Sequence, residues 1–169
     1  KIYDRLKLLR HAGTTSDPKK LVTNDCREIS LNHKMDTLNA TLLLVALKHL
    51  PKRMQLRENI AETYNDKLPI GVGRQRTALG EIHARYVYPI RISRRNELRV
   101  FLEKYQVETK IMHEPLVCDA PAYSEQKENV PNARKILGES LVIPAHEKLT
   151  DRQVSRVIDL IDEFVTAGI

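Results

Sequence analysis

The strongest pattern in the chain is a run in which polar positions almost vanish. Between Thr37 and Pro51, apolar residues occupy positions 38, 42 to 47 and 50. Leu38, Leu42 and Val45 step at helical spacing, and so do Leu43, Leu47 and Leu50. A helix apolar around most of its circumference is expected to be a buried central one. The run is too short, and too closely flanked by His49, Lys52 and Arg53, to cross a membrane. Asp36 or Thr37 can supply an oxygen to its first free N–H groups. Just ahead stand Asn32, His33 and Lys34, donors fixed before a rigid element. That suits an anion, although the same residues also make an ordinary polar loop. Pro51 predicts a kink or short break, with the helix resuming over 53–67 on Leu56, Ile60 and Tyr64.

Other periods fill the rest. Ile2, Leu6 and Leu9 predict a first helix, which Gly13 can close in a left-handed conformation. Residues 12–25, rich in Gly, Thr, Ser, Pro and Asn, read as a loop. Residues 68–73 end the second helix, and 75–81 form an exposed loop. Tyr86, Tyr88, Ile90 and Ile92 alternate with other residues and predict a strand. Pro89 cannot donate to a ladder and is expected at a sheet edge or bulge. A helix follows Ser93 on Leu98, Phe101, Leu102 and Tyr105. Val107, Thr109 and Ile111 predict a second strand and Leu141–Ile143 a third, after an irregular 113–131 and a short helix over 131–137. Thr150-x-x-Gln153 is a capping box opening a final helix on Val154, Val157, Ile158, Ile161, Phe164 and Val165. The fold class is therefore α/β of the α+β kind: a long helix and a small three-stranded, mainly antiparallel sheet covered by helices.

Composition narrows the function classes. The 169 residues suffice for one domain with a real core. The 28 basic and 22 acidic residues give +6, but they are interspersed, without the aromatic interleaving that stacks bases. Nucleic acid is therefore the weakest reading of the charge, and attraction to phosphorylated substrates serves as well. Cys26 and Cys118 have neither metal nor disulfide spacing, which suits a reducing, cytoplasmic setting. No histidine pair carries zinc spacing. Gly71-x-Gly73 is too short, with no helix after it, for a nucleotide loop. The chain starts at Lys1 inside a helical pattern, so the expectation is a piece of a longer protein.

Five segments carry a resemblance. Asn32-x-Lys34-Met35-Asp36 before the long helix resembles the N-Y-R-M-D segment of the DegT-type (DegT/DnrJ/StrS) sugar aminotransferases, pyridoxal-phosphate enzymes of fold type I. LKLLRHAG at 6–13, RENIAETY at 57–64, YVYPIRI at 86–92 and SLVIPAHEKLT at 140–150 resemble further family motifs in the same order. The resemblance implies a small C-terminal domain of such an enzyme. Residues 1–34 would end the large-domain segment and form a cofactor-phosphate loop, 35–68 the connecting helix, and 69–169 the small domain. The family's cofactor lysine and carboxylate would lie upstream, so no catalytic residue is expected here. Asn32 and Lys34 would reach the cofactor phosphate of the neighbouring subunit of a homodimer. Lysine in place of the commoner arginine keeps the charge and loses the bidentate fork.

His113 follows Glu108-Thr109-Lys110 where the family has a histidine near I-E-T, shifted here by one position past Met112. Tyr86 stands where the family often has an active-site histidine. Both become substrate-pocket expectations. The substrates implied are a nucleotide-linked keto sugar and an amino donor such as glutamate. Ser30 replaces a usual glycine, which puts the local turn in doubt. His11, His33, His49, His83 and His146 read as turn, loop or boundary residues. Two alternatives stay open: a dehydratase of the same family, decided by the residue at the upstream lysine position, and a standalone dimerisation or interaction domain.

Overall fold

The computed structural model describes residues 1–15, 25–123, 125 and 128–168. They form two compact units, Lys1–His49 and Leu50–Ile169.

The first unit begins with α1, Ile2–Arg10. Its end is a paired left-handed turn. Ala12 takes φ 56° and Gly13 φ 69°, and the Gly13 N–H returns to the Leu8 carbonyl at 3.0 Å. Here Ala12, beside the expected Gly13, also enters the left-handed region. Gly13 is obligatory for a second reason: a β-carbon there would sit 1.6 Å from the Glu28 carbonyl oxygen. Inside the expected loop, β1 (Thr14–Thr15) pairs antiparallel with β2 (Asp25–Cys26). Residues 16–24 of that loop lie outside the described residues. Ser30 keeps a negative φ and ties its hydroxyl to the Leu9 carbonyl at 2.8 Å. No glycine is needed there.

Helix α2 runs unbroken over Thr37–Lys67 with Pro51 inside it. The break expected at Pro51 does not occur, and the boundary between the two units falls beside it. The expectation of a buried helix fails over the apolar run. Leu38 is 71 % and Leu44 68 % exposed, and every leucine from 38 to 50 is open. The reason is size: α1 and a two-stranded ribbon cannot wrap thirteen residues of apolar helix. All buried hydrophobic side chains among the described residues lie from Ala61 onward.

The second unit holds the core. Its sheet has the order β3 (Gly73–Arg74), β4 (Tyr88–Arg91), β5 (Ser140–Ile143), antiparallel throughout. The strand expected over 107–111 shrinks to one bridge, Lys110 to Val142, while β3 takes the third place. A two-residue strand is too short to show an alternating pattern, which is why the sequence hides it.

Pro89 sits in the central strand, contrary to the expected edge or bulge. Val142, opposite it, exchanges both backbone hydrogen bonds with Lys110, at 3.1 and 2.8 Å. The Pro89–Val142 pair is therefore one whose backbone groups face away from each other. Pro89 points its missing donor toward β3, which pairs only with Ile90 and Arg91 and stops before it.

Helices α3 (Arg95–Lys104), α4 (Pro131–Glu139) and α5 (Asp151–Thr166) cover the sheet. Leu98, Phe101 and Leu102 meet Val154, Val157, Ile161 and Phe164 in one cluster with Tyr64, Tyr88, Ile90, Leu141 and Ile143. The Phe101 and Phe164 rings lie 5.6 Å apart. Thr150 caps α5, with reciprocal bonds to Gln153 as the capping box requires. Tyr64 donates to the Pro144 carbonyl at 2.7 Å, and burial pushes its phenol far up. No described helix is long and apolar enough to cross a membrane.

Candidate functional site

In the first unit, α1 and the segment ahead of α2 are laced together. Asn32 bridges His11 antiparallel, and the His33 N–H reaches the Arg10 carbonyl at 3.1 Å. The Asn32 Oδ1 accepts from the Lys34 N–H at 3.3 Å, which leaves its two amide donors for an outside acceptor. Asp36 caps α2, accepting the Asn39 N–H at 2.8 Å. That bond, with the Asn39 side-chain amide, holds the Asp36 carboxyl below the usual aspartate range. The Asn32–Asp36 segment is thus pinned at both ends.

Lys34 lines an open hollow of about 480 Å³ with Lys7, Arg10, His11, Thr14 and Asp4. Three of these are permanent cations against one carboxylate. Thr14 has already given its hydroxyl proton to the His11 carbonyl at 2.7 Å. The cations fit a phosphate, with Lys34 as a point charge, whereas Asn32 is not among the residues that line the hollow. The sequence reading missed Lys7 and Arg10. Their three-residue spacing on α1, close to the His11–Asn32 bridge, was the available signal.

In the second unit Tyr86 is 76 % exposed and borders a groove of about 470 Å³ between the 105–110 segment and residues 142–146. His113 is exposed, takes φ 63°, and is not among the residues that line this groove. The structure therefore does not bring the two substrate-pocket expectations into one cavity. Residues 124, 126 and 127 of the irregular stretch over 113–131 lie outside the described residues.

The remaining histidines are engaged or open as the residue types suggest. His83 accepts the Arg85 N–H at 2.9 Å and meets the Gln75 amide at 2.8 Å. His146 accepts from the Lys148 N–H, and His49 is exposed. Arg91 pairs with Glu139 at 2.6 Å. Arg95 is buried, with Nε and Nη1 unpartnered and Glu114 at 3.9 Å.

Known proteins resemble this chain over most of its length. Residues 1–162 match the model of the DegT/DnrJ/EryC1/StrS aminotransferase family. The chain is 27 % identical to the pleiotropic regulatory protein of Geobacillus stearothermophilus, over 92 % of this chain and 49 % of that protein. It is also 27 % identical to the dTDP-3-amino-3,4,6-trideoxy-alpha-D-glucose transaminase of Streptomyces venezuelae, over 96 % and 43 %. The solved structure of S. venezuelae DesV superposes with a TM-score of 0.82 at 28 % identity, covering 96 % of this chain and 44 % of that one. The sugar aminotransferase CalS13 from Micromonospora echinospora gives a TM-score of 0.86 at 18 % identity, over 96 % and 44 %, a likeness of fold alone. The chain spans less than half the length of these relatives.

Proposed function

The chain belongs to the DegT/DnrJ/EryC1/StrS aminotransferase family, and from that premise we propose that the whole protein moves an amino group, from a donor such as glutamate, onto a nucleotide-linked keto sugar. The observation that carries this is the family match over residues 1–162, with Lys34 lining a cation-rich hollow and Asn32 two residues ahead of it in the same pinned segment. When bound, pyridoxal phosphate supplies the electron sink that such a transfer needs.

The role of this chain is to hold and orient. The Asn32 amide and the Lys34 ammonium take the cofactor phosphate of the neighbouring subunit in a homodimer. The Asp36 cap and the His11–Asn32 bridge fix their positions before the phosphate arrives, so little ordering is left to do on binding. Residues 1–34 form the cofactor-phosphate end, 35–68 the connecting helix and 69–169 the small domain. Tyr86 and His113 face the sugar substrate from the small domain. The open leucines of α2 agree with this reading, because they are the surface a larger body of protein would cover.

The protein at its natural length, loaded with pyridoxal phosphate, tests it. Glutamate and a nucleotide-linked keto sugar should yield the amino sugar. Lys34→Gln should weaken cofactor retention about tenfold, the worth of one charge-assisted contact. Loss of water from the sugar without amino transfer would assign the dehydratase activity instead. A natural-length protein that neither retains the cofactor nor turns over the sugar would leave an interaction domain as the better reading.

A further inference from the structure

Where α2 ends and β3 begins, the second unit has an open hollow of about 690 Å³ that the aminotransferase reading does not use. Asn65, Arg74, Gln75, Arg76, Thr77 and Arg85 line it. Half of these are arginines. Arg85 is 3 % exposed. Its Nε and Nη2 donate to the Glu58 carboxylate at 2.7 and 2.8 Å, and Nη2 also reaches the Thr77 hydroxyl at 3.0 Å. Its Nη1 is buried and has no hydrogen-bond partner. Arg74 gives one Nη2 proton to the Leu68 carbonyl at the end of α2, and its Nε is buried and unpartnered as well.

A donor left unpaired away from water is costly, and native structures hold few of them. A guanidinium cannot escape by losing its proton. The two arginines that carry these donors line one hollow. The acids nearby do not satisfy them: Glu58 is spent on the Nε and Nη2 of Arg85, and Glu62 acts on Arg85 only through space. Arg76, exposed at the rim, adds a third positive charge.

We propose that this hollow binds a phosphoryl group. The form of the free donors favours it over a carboxylate. A planar carboxylate is best held by both N–H groups of one fork. Here the Glu58 carboxylate already holds the Nε–Nη2 fork of Arg85 and leaves only its Nη1, and Arg74 adds its Nε. A tetrahedral anion, with oxygens facing several directions, takes single donors from separate arginines. The Thr77 hydroxyl accepts from Arg85, so its own proton is free to turn toward a further oxygen. The occupant is either free phosphate or the phosphate of a larger ligand. Phosphoryl binding here needs nothing from the aminotransferase reading.

Inorganic phosphate is titrated into the isotope-labelled chain at an ionic strength held constant with chloride, and amide shifts are followed by NMR. Saturable shifts are expected at Arg74–Thr77 and Arg85. Arg74→Gln should weaken binding about tenfold, and Thr77→Val, which removes a hydroxyl and no charge, about threefold. A nucleoside diphosphate is titrated in a second arm. Tighter binding at the same amides assigns the site to a phosphorylated ligand, and equal binding assigns it to free phosphate. A linear drift without saturation, or shifts centred elsewhere, overturns the proposal. So does wild-type affinity in both variants. Should Arg74→Gln lose its folded spectrum, Thr77→Val and Arg76→Gln decide alone, and wild-type affinity in those two overturns it equally.

Discussion

Arg85 and Glu58 show what one pair asks of its surroundings. The Arg85 hydrogen bonds hold the Glu58 carboxyl below the usual glutamate range. A carboxylate whose folded value is depressed stabilises the fold above its unfolded value, and that contribution is lost as pH falls through the folded one. Glu58→Gln should therefore cost about 3 kcal/mol near neutrality, since it strands a buried guanidinium. The gap to wild type should close as the medium is acidified below the glutamate range. Chemical denaturation of both proteins across that range checks it; a gap independent of pH would show that the charge is not what matters. Gly13 is the other position where one atom decides. Gly13→Ala would drive a methyl into the Glu28 carbonyl at a positive φ, costing more than about 1 kcal/mol. Amide shifts around the β1–β2 ribbon should report the loss. Neither residue's importance could be read from the sequence. Glu58 and Arg85 are 27 positions apart, and Gly13 looked like a helix cap alone.

Among the elements, legibility followed length and regularity. Helix α5 declares its start by Thr150 and Gln153 and its inner face by six apolar residues, of which five are buried and Val165 is half-buried. Thr150→Ala should cost about 1 kcal/mol, read as a lower unfolding midpoint, because the Gln153 N–H then loses the hydroxyl it shares with the Thr150 carbonyl. The stripe of α3 was equally plain. The sheet was legible in its number of strands and its antiparallel sense, and one of its members was misplaced. Residues 107–111 alternate as a strand should, yet only Lys110 pairs. Glycine and arginine at 73–74 show no pattern, yet they form β3. Pairing is decided by the partner that lies alongside, and one strand's own sequence does not contain that partner. The long helix makes the same point for burial. Its leucines predict a covering surface, and the described residues of the first unit do not supply one.

At the scale of the whole molecule, the two units differ in kind. Among the described residues, the second encloses a continuous core and the first encloses none. Hydrogen exchange on this chain should follow that division. Amides of α3 and α5 should exchange at least about a hundredfold more slowly than those of α1 and of residues 38–48, where few buried contacts resist opening. Uniform protection along α2 would contradict it. The candidate cofactor residues sit in the less stable unit, and their positions rest on local bonds alone: the Asp36 cap, the Ser30 hydroxyl and the His11 bridge. The motif was legible because it is short and contiguous. The cations around it were not, because α1 supplies them. Pro89, finally, bears on how the molecule meets its neighbours in solution. Beyond the end of β3, the flank of β4 presents a carbonyl and no N–H to a passing chain. A strand from another molecule that tried to extend the sheet there would find no donor to bond to. The imino ring that ends β3 thereby also guards this flank against strand-by-strand aggregation.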